Sequence, residues 1–429
     1  MPKRSAARPA APPAAPPAED ALWPRVTREL ADDLAVDALA RDRAGKPPFD
    51  EVSRLREAGL PALLTPPGPL SGGSDWRTAC AVIREIAAAD SSIGELLARH
   101  YALTWSARFF GTPEQADALE RRVADGQWLL AGDTGGTGHP SADAEPPAAP
   151  GTTPDLTLTP DGSGHLLHGR RAFAAGVAVA DRLVIGAGDT ETGDWLIALV
   201  DPAHPGVTTE PAHDRLGQRL TGAGSLTFDG VPVAPGQILG TVSHDEQHLT
   251  PYATLAPLAL RLGLVHVALG IAEGALAEAR DLSRAAPRAW QGAEPGPAGY
   301  PEQPGRDPYL LLAYGELVAA AHTAAAVVEP ATEALARGLL MGGELGVNER
   351  ADIAVLVAAA EAVTGQAALQ ITTRILELTA ADGTVGDPGF DRFWRNARVL
   401  TAQRSPAHSL RAIGDHYLNG AHPPLTLRI

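Results

Sequence analysis

Hydrophobic spacing changes twice along this chain, and that change restricts the folds open to it. From Trp23 to Gly126 the pattern is helical, from Gln127 to about Gly240 apolar and polar residues alternate, and from about Leu249 onward the helical spacing returns. A period of 3.6 places an apolar stripe on one side of a helix, whereas a period of 2 places it on one face of a strand. The chain is therefore expected to be an α+β protein in four parts. These are a Pro- and Ala-rich tail (1–20), a helical domain (21–126), a small antiparallel β-domain (127–240) and a C-terminal helical bundle (241–429).

Local signals support that division. Thr112-Pro113-Glu114-Gln115 offers a hydroxyl cap, a proline in the first turn and a glutamine able to return the bond. Ser74 is a candidate cap for the helix running toward Ala89, and Ser91 or Ser92 for the one running to Phe110, while Gly59 can end an earlier helix. Pro160 to Gly164 and Gly188 to Gly193 each separate two alternating runs, as in hairpins. Gly135 to Asp155 has little periodicity and reads as a loop, a candidate lid. Long helices are expected over Pro251–Ser283, Asp307–Met341 and Asn348–Ala380, with shorter ones after Phe390 and Pro406.

Composition excludes several classes of function. At 429 residues the chain exceeds one ordinary core, and its charge of −16 repels phosphate backbones and anionic lipid surfaces. Neither nucleic-acid binding nor membrane association is expected, and no uninterrupted apolar run of about 18 residues is present. The first twenty residues carry Lys3, Arg4 and Arg8 but lack the Leu-rich core of a secretory signal. With Cys80 the sole cysteine, no internal disulfide can form, and a cytoplasmic protein is expected.

Generic catalytic motifs are scarce. The glycine cluster Gly132 to Gly138 lacks the lysine of a phosphate-binding loop and does not open a helix. His244, Asp245, Glu246 and His248 read as a solvated turn, so no metal site is assigned, and no Gly-x-Ser-x-Gly turn occurs.

A set of longer strings in fixed order is more informative. Gly169 to Gly176 with Ala180-Asp181, then Leu216 to Arg219 with Ser225 to Val231, resemble landmarks of the acyl-CoA dehydrogenase superfamily. Ser283-Arg284 with Arg288 and Trp290, Asp307-Pro308-Tyr309, Tyr314 to Leu317, and Phe393-Trp394-Arg395-Asn396-Ala397-Arg398 are similar to its reduced-flavin-dependent monooxygenase branch, which includes dibenzothiophene and sulfone monooxygenases. The resemblance spans roughly Asp32 to Asn419.

This resemblance implies a homotetrameric oxidoreductase with a flavin lying between sheet and bundle, its phosphate reaching a neighbouring subunit. The flavin would be reduced FMN, with FAD as the alternative, supplied by a separate reductase. The substrate would be a small hydrophobic or heteroatom-bearing molecule, in keeping with specialised metabolism. Carried over by position, Asp133 and Thr134 line the flavin's pyrimidine side, Phe173 and Ala175 meet its ring, Arg284 meets its phosphate, and Asn396 is a further contact. A guanidinium suits a phosphate because its planar fork meets two oxygens at once. His100, Gln403 and Trp290 are the substrate-side candidates; a packed helix position is the other reading of His100.

The chain also departs from the branch. Leu400 and Gln403 stand where histidines are usual, Ala175 replaces a hydroxyl beside the flavin, and Asp382 falls where an arginine is expected. These changes motivate a second reading, a scaffold turned to non-redox, cyclase- or lyase-like chemistry with weak or no flavin binding. A third is acyl-CoA dehydrogenase-type oxidation or a non-catalytic subunit. For dehydrogenation, a gapless count places Arg404 at the position of the usual carboxylate base, and an arginine cannot take the proton.

Overall fold

The computed structural model describes residues 22–68, 73–135, 155–242, 249–285, 301, 303–379, 389–403 and 405–424. Seven helices come first: α1 (Leu22–Ala35), α2 (Ala38–Ala44), α3 (Phe49–Glu57), α4 (Trp76–Ala89), α5 (Ser91–Thr104), α6 (Ser106–Phe110) and α7 (Pro113–Gly126). The capping box at Thr112 forms as expected, with Gln115 N–H donating to the hydroxyl at 3.3 Å and Thr112 N–H donating to the Gln115 side chain at 2.7 Å. Two other caps shift by one residue. Asp75, not Ser74, caps α4, and Asp90 caps α5 through bonds from the Ser92 and Ile93 N–H groups. A carboxylate makes a charge-assisted bond to helix N–H groups, so it prevails over a neighbouring hydroxyl.

The strands follow as β1 (Leu130–Asp133), β2 (Leu156–Asp161), β3 (Gly164–Phe173), β4 (Arg182–Asp189), β5 (Trp195–Val200), β6 (Val207–Pro211), β7 (Gly224–Val233) and β8 (Ile238–Val242). They form one sheet in the order β6-β7-β3-β2-β4-β5-β8, with β1 also on β4. The hairpins β2–β3 and β4–β5 are antiparallel as their turns predict. The sheet is nevertheless mixed, because β1 and β2 both run parallel to β4 along one edge. Alternation specifies which face a residue occupies but not which distant strand it pairs with, so these two pairings leave no local trace. Strands β4 and β5 are buried on both sides. Leu183, Ile185 and Ala187 join the core between the strands, while Val184, Ile197 and Leu199 pack on Leu103, Ala107, Leu119 and Val123.

Five helices complete the chain: α8 (Leu255–Ala285), α9 (Pro308–Met341), α10 (Val347–Thr379), α11 (Asp391–Ala402) and α12 (Pro406–Asn419). Helix α8 threads the main core, with α4 and α5 on one side and α9 and α10 on the other. Its closest approach to α4 depends on Gly274, where a Cβ would lie 2.0 Å from the Ala88 carbonyl oxygen. By length and apolar composition α8, α9 and α10 are each long enough to cross a membrane, although none holds an uninterrupted apolar run of about 18 residues. For α8, 89% of that stretch is buried inside the protein, so its apolarity is accounted for by the core; for α9 the figure is 28%.

Candidate functional site

The sheet and the bundle meet along a wall built from α5, the 215–221 loop and α11. Because Asp90 takes the cap of α5, the hydroxyls of Ser91 and Ser92 are free to donate to Gln218 Oε1, at 3.2 and 3.1 Å. Gln218 is buried and its N–H donates to Asn396 Oδ1 on α11 at 2.7 Å. Gly217 presses against the same helix, where a Cβ would fall 2.4 Å from the Arg395 carbonyl oxygen. Arg395 itself pairs with Asp42 and Asp391. Asn396, expected to touch the flavin, thus uses its side-chain oxygen to join sheet and bundle.

One turn further along α5 lies an ion pair in the interior. Glu95, 0% exposed, accepts from Arg99 Nε at 2.9 Å and Nη2 at 2.8 Å. Gln403, the C-cap of α11, completes the cluster: its Nε2 donates to Glu95 at 3.2 Å and its Oε1 accepts from Arg99 Nη2 at 3.0 Å. Glu95 Oε2 is buried and has no hydrogen-bond partner among the described residues. Arg215 stands near both charges and donates to the Ala174 carbonyl at 2.9 Å and to Thr221 Oγ1 at 3.0 Å. Burial lowers its pKa, Glu95 works against that shift and Arg99 adds to it.

Two spaces border this cluster. Arg99, Asp133 and Thr134 line a void of about 20 Å³ together with Ser106, Leu103, Phe110 and Leu260 among others. Gln403 and Leu400 line a cavity of about 470 Å³ between α8, α10, α11 and α12, together with Leu264, Val265 and Leu369.

The remaining candidates divide clearly. Asp133 ends β1, its Oδ1 accepting from Gly135 N–H at 2.6 Å, and the Thr134 carbonyl accepts from Trp195 Nε1 at 2.8 Å. Phe173 ends β3 and is buried, and Ala175 packs in the main core. Their approach to β1 requires Gly176, whose φ is +83° and whose Cβ would lie 2.5 Å from that of Ala131. Arg284 stands elsewhere, exposed in the last turn of α8, beside a groove of about 500 Å³ lined also by Arg280, Tyr314 and His322. Trp290 and Asp382 lie outside the described residues, as do Arg404, the His244–His248 turn and residues 136–154 of the loop.

His100 is fully buried with both ring nitrogens engaged by backbone. Nδ1 accepts from Leu130 N–H at 3.0 Å, so Nε2 carries the proton and donates to the Pro61 carbonyl at 2.8 Å. Burial lowers its pKa to about 4, with the Pro61 bond and Asp181 opposing. The ring is a strut between the helices and β1, which is its packed reading. The side chain that does border the void beside Asp133 is Arg99, held by Glu95, and sequence reasoning missed both. Their signal was an i,i+4 carboxylate–guanidinium pair in the stretch Ile93 to Tyr101, where every residue proves to be buried.

Comparison with known proteins places the chain in a family. The acyl-CoA dehydrogenase N-terminal domain family matches residues 16–127. The dibenzothiophene monooxygenase of Rhodococcus qingshengii is 33% identical over 410 residues, 93% of either chain. The chain belongs to the dibenzothiophene monooxygenase family, on the acyl-CoA dehydrogenase fold. Another relative, the Pseudomonas putida protein named as a probable FMNH2-dependent monooxygenase, SfnC, is 30% identical over 402 residues, covering 93% of this chain and 95% of that one. Among solved structures, TdsC from Paenibacillus sp. A11-2 in complex with FMN and indole superposes with a TM-score of 0.85 at 30% identity, covering 95% of this chain and 99% of that one. Helical domain, sheet and helical bundle follow in the order that the acyl-CoA dehydrogenase fold implies.

Proposed function

We propose that this chain is a monooxygenase that takes reduced FMN from a separate flavin reductase and oxygenates a small hydrophobic or heteroatom-bearing molecule. The likeness over 93% of the chain to relatives named for that chemistry carries the reading. Dibenzothiophene, named for the first of them, is the substrate to try first.

The residues present fit the flavin. Its pyrimidine edge presents one N–H and two carbonyl oxygens. Asp133, with its second carboxylate oxygen uncommitted among the described residues, and the Thr134 hydroxyl offer an acceptor and a donor for that edge. Phe173 and Ala175 are apolar, as neighbours of the ring system would be, and both are packed in the cores. Arg284 has no carboxylate within ion-pair distance among the described residues, which suits it to a phosphate, in our reading that of a neighbouring subunit's flavin. Bound reduced FMN supplies the electrons for oxygen activation. The chain's own part is to exclude water with Phe173, Ala175 and Leu400, to hold Gln403 through Glu95 and Arg99, and to orient the substrate. Ala175 carries no hydroxyl, so the steadying of the flavin falls to the β1 end.

We read the protein as a cytoplasmic homotetramer. Supporting the assembly, α9 leaves Tyr309, Leu311, Leu312 and Val318 exposed along one helix.

The test is direct. Purified protein is titrated with FMN, then supplied with an NADH–FMN reductase, oxygen and dibenzothiophene. Formation of the sulfoxide or sulfone is expected. Failure to bind either oxidised or reduced FMN at micromolar concentration would overturn the assignment.

A further inference from the structure

Arg261, Leu264, Val265 and Ala268 follow one another at helical spacing on one face of α8 and line the cavity of about 470 Å³ that α10, α11 and α12 complete. Val363, Leu369, Leu400 and Leu410 make its other walls mainly aliphatic. A polar cluster interrupts them. Arg261 Nη2 donates to Glu361 Oε2 at 2.6 Å, and the Ser409 hydroxyl donates to the same oxygen at 2.6 Å. Thr364 lies one helical turn beyond Glu361 on the same side of α10.

Two atoms of this cluster have no hydrogen-bond partner among the described residues: Arg261 Nε and Thr364 Oγ1, both buried. Thr364 is 1% exposed and the Arg261 side chain 10%. Elsewhere on α10, Thr372 and Thr379 return their hydroxyls to the carbonyls four residues back, at 2.7 and 2.8 Å, and Thr364 does not. Polar groups left unpaired in the interior are costly. Glu361 already matches the charge of Arg261, so the cluster lacks an acceptor and not a counter-ion. Among the described residues, none of Asp133, Thr134, Phe173, Ala175 and Arg284 lines this space, whereas Gln403, bonded to Glu95 and Arg99, does. The cavity is therefore separate from the residues assigned to the flavin and adjoins the wall beside them. Its volume is in the range that encloses a whole drug-sized molecule.

We propose that this cavity seats the body of the substrate, and that the preferred substrate is an uncharged, mainly apolar molecule carrying an oxygen acceptor (a ketone, ester or ether) away from its reacting atom. The Thr364 hydroxyl and the Arg261 Nε–H donate to that oxygen. Glu361 and Ser409 position Arg261, and Gln403 stands between the seat and the Arg99 wall. Dibenzothiophene suits the aliphatic walls but leaves both donors unpaired, so a thiophene with an oxygenated arm binds more tightly than the bare ring. The inference deepens the monooxygenase reading and rests on it for the role of substrate, but binding is measured without flavin or turnover.

The probes are 2-acetyldibenzothiophene and 2-isopropyldibenzothiophene, alike in shape and differing in one acceptor, titrated into flavin-free protein and read by quenching of the ring fluorescence. The ketone is expected to bind about 3- to 10-fold more tightly, the worth of one neutral hydrogen bond. Thr364→Val keeps the shape, removes only an unpaired hydroxyl, and should erase most of that preference while leaving the isopropyl compound and the urea midpoint unchanged. Leu369→Trp fills the cavity and should weaken both probes at least about tenfold. Equal affinity for the two probes, a preference that survives Thr364→Val, or unaltered affinity in folded Leu369→Trp protein each overturns the proposal. So does displacement of the probes by FMN, since the cavity is then the cofactor's. A lower assembly mass in folded Leu369→Trp with probe affinity unaltered also overturns it, since the space is then a contact between subunits. FMN affinity is titrated separately: its absence removes the monooxygenase reading and leaves the probe preference standing, whereas loss of the preference with FMN affinity kept removes the cavity assignment alone.

Discussion

The two sides of the helical bundle distribute polarity in opposite senses. Toward the sheet, the interior holds Glu95, Arg99, Gln218 and Asn396, each tied by hydrogen bonds to another element. On the far side, α9 presents Tyr309 and Leu312 at 73% and 61% exposure. Folding alone favours neither arrangement, because buried charge costs desolvation and exposed apolar area forfeits burial. The inner side spends stability on a wall able to hold polar ligands. The outer side leaves apolar area exposed, which the proposed assembly would cover with another copy of the chain. The contrast teaches that polarity out of place, inside or outside, has to be explained by something other than the stability of a lone subunit.

The strongest way to break the comparison is Glu95→Ala. It strands Arg99 in the interior and should cost about 3 to 5 kcal/mol, read from chemical denaturation. A cost below 1 kcal/mol would mean that water reaches the cluster and that the inner side is not truly buried.

Acid provides the next largest effect and reaches both sides. His100 backs the inner wall, while His266, bonded to Thr332 at 2.9 Å, lies between α8 and α9. Burial lowers the first to about 4 and, with Arg84 adding to the shift, the second to about 3. Both are neutral when folded, whereas the unfolded chain takes up their protons below about pH 6.5. The unfolded state then binds more protons, so stability is fully present above that pH and falls as pH drops from about 6.5 toward 4. Each group contributes about 1.4 kcal/mol per pH unit. His266→Gln should halve the slope of the urea midpoint against pH; an unchanged slope would assign the acid sensitivity elsewhere.

On the outer side, Leu311→Glu with Leu312→Glu should lower the assembly's mass by sedimentation while changing subunit stability by no more than about 0.5 kcal/mol. Retention of the native mass would show that α9 is not the interface. The smallest effect sharpens the picture of the core: burial pushes the Cys80 thiol up to about 12. Iodoacetamide should therefore leave the folded protein unlabelled at pH 8 and modify it only in denaturant.

Much of the scaffold was legible beforehand. The Thr112 capping box, the Gly162-Ser163 turn joining β2 to β3, and the long C-terminal helices appear close to where their local signals put them. The site was less legible. Asp133 and Thr134 were named and lie on the void that Arg99 lines, and Gln403 bonds to Arg99, but His100 drew attention to the residue next to the guanidinium rather than to the guanidinium itself. On a helix, Glu95 and Arg99 look like an ordinary surface pair, and only the surrounding elements make them an interior one.

The sequence by itself determined the order of helices, sheet and helices, because hydrophobic period, capping and turn chemistry act over a few neighbouring residues. Tertiary structure alone decided that β1 and β2 run parallel to β4, that Asp90 frees two serines for Gln218, and that Gln403 meets Glu95 across 308 residues of chain. Burial and pairing of a polar group depend on what distant segments bring against it, and no local period encodes that arrival.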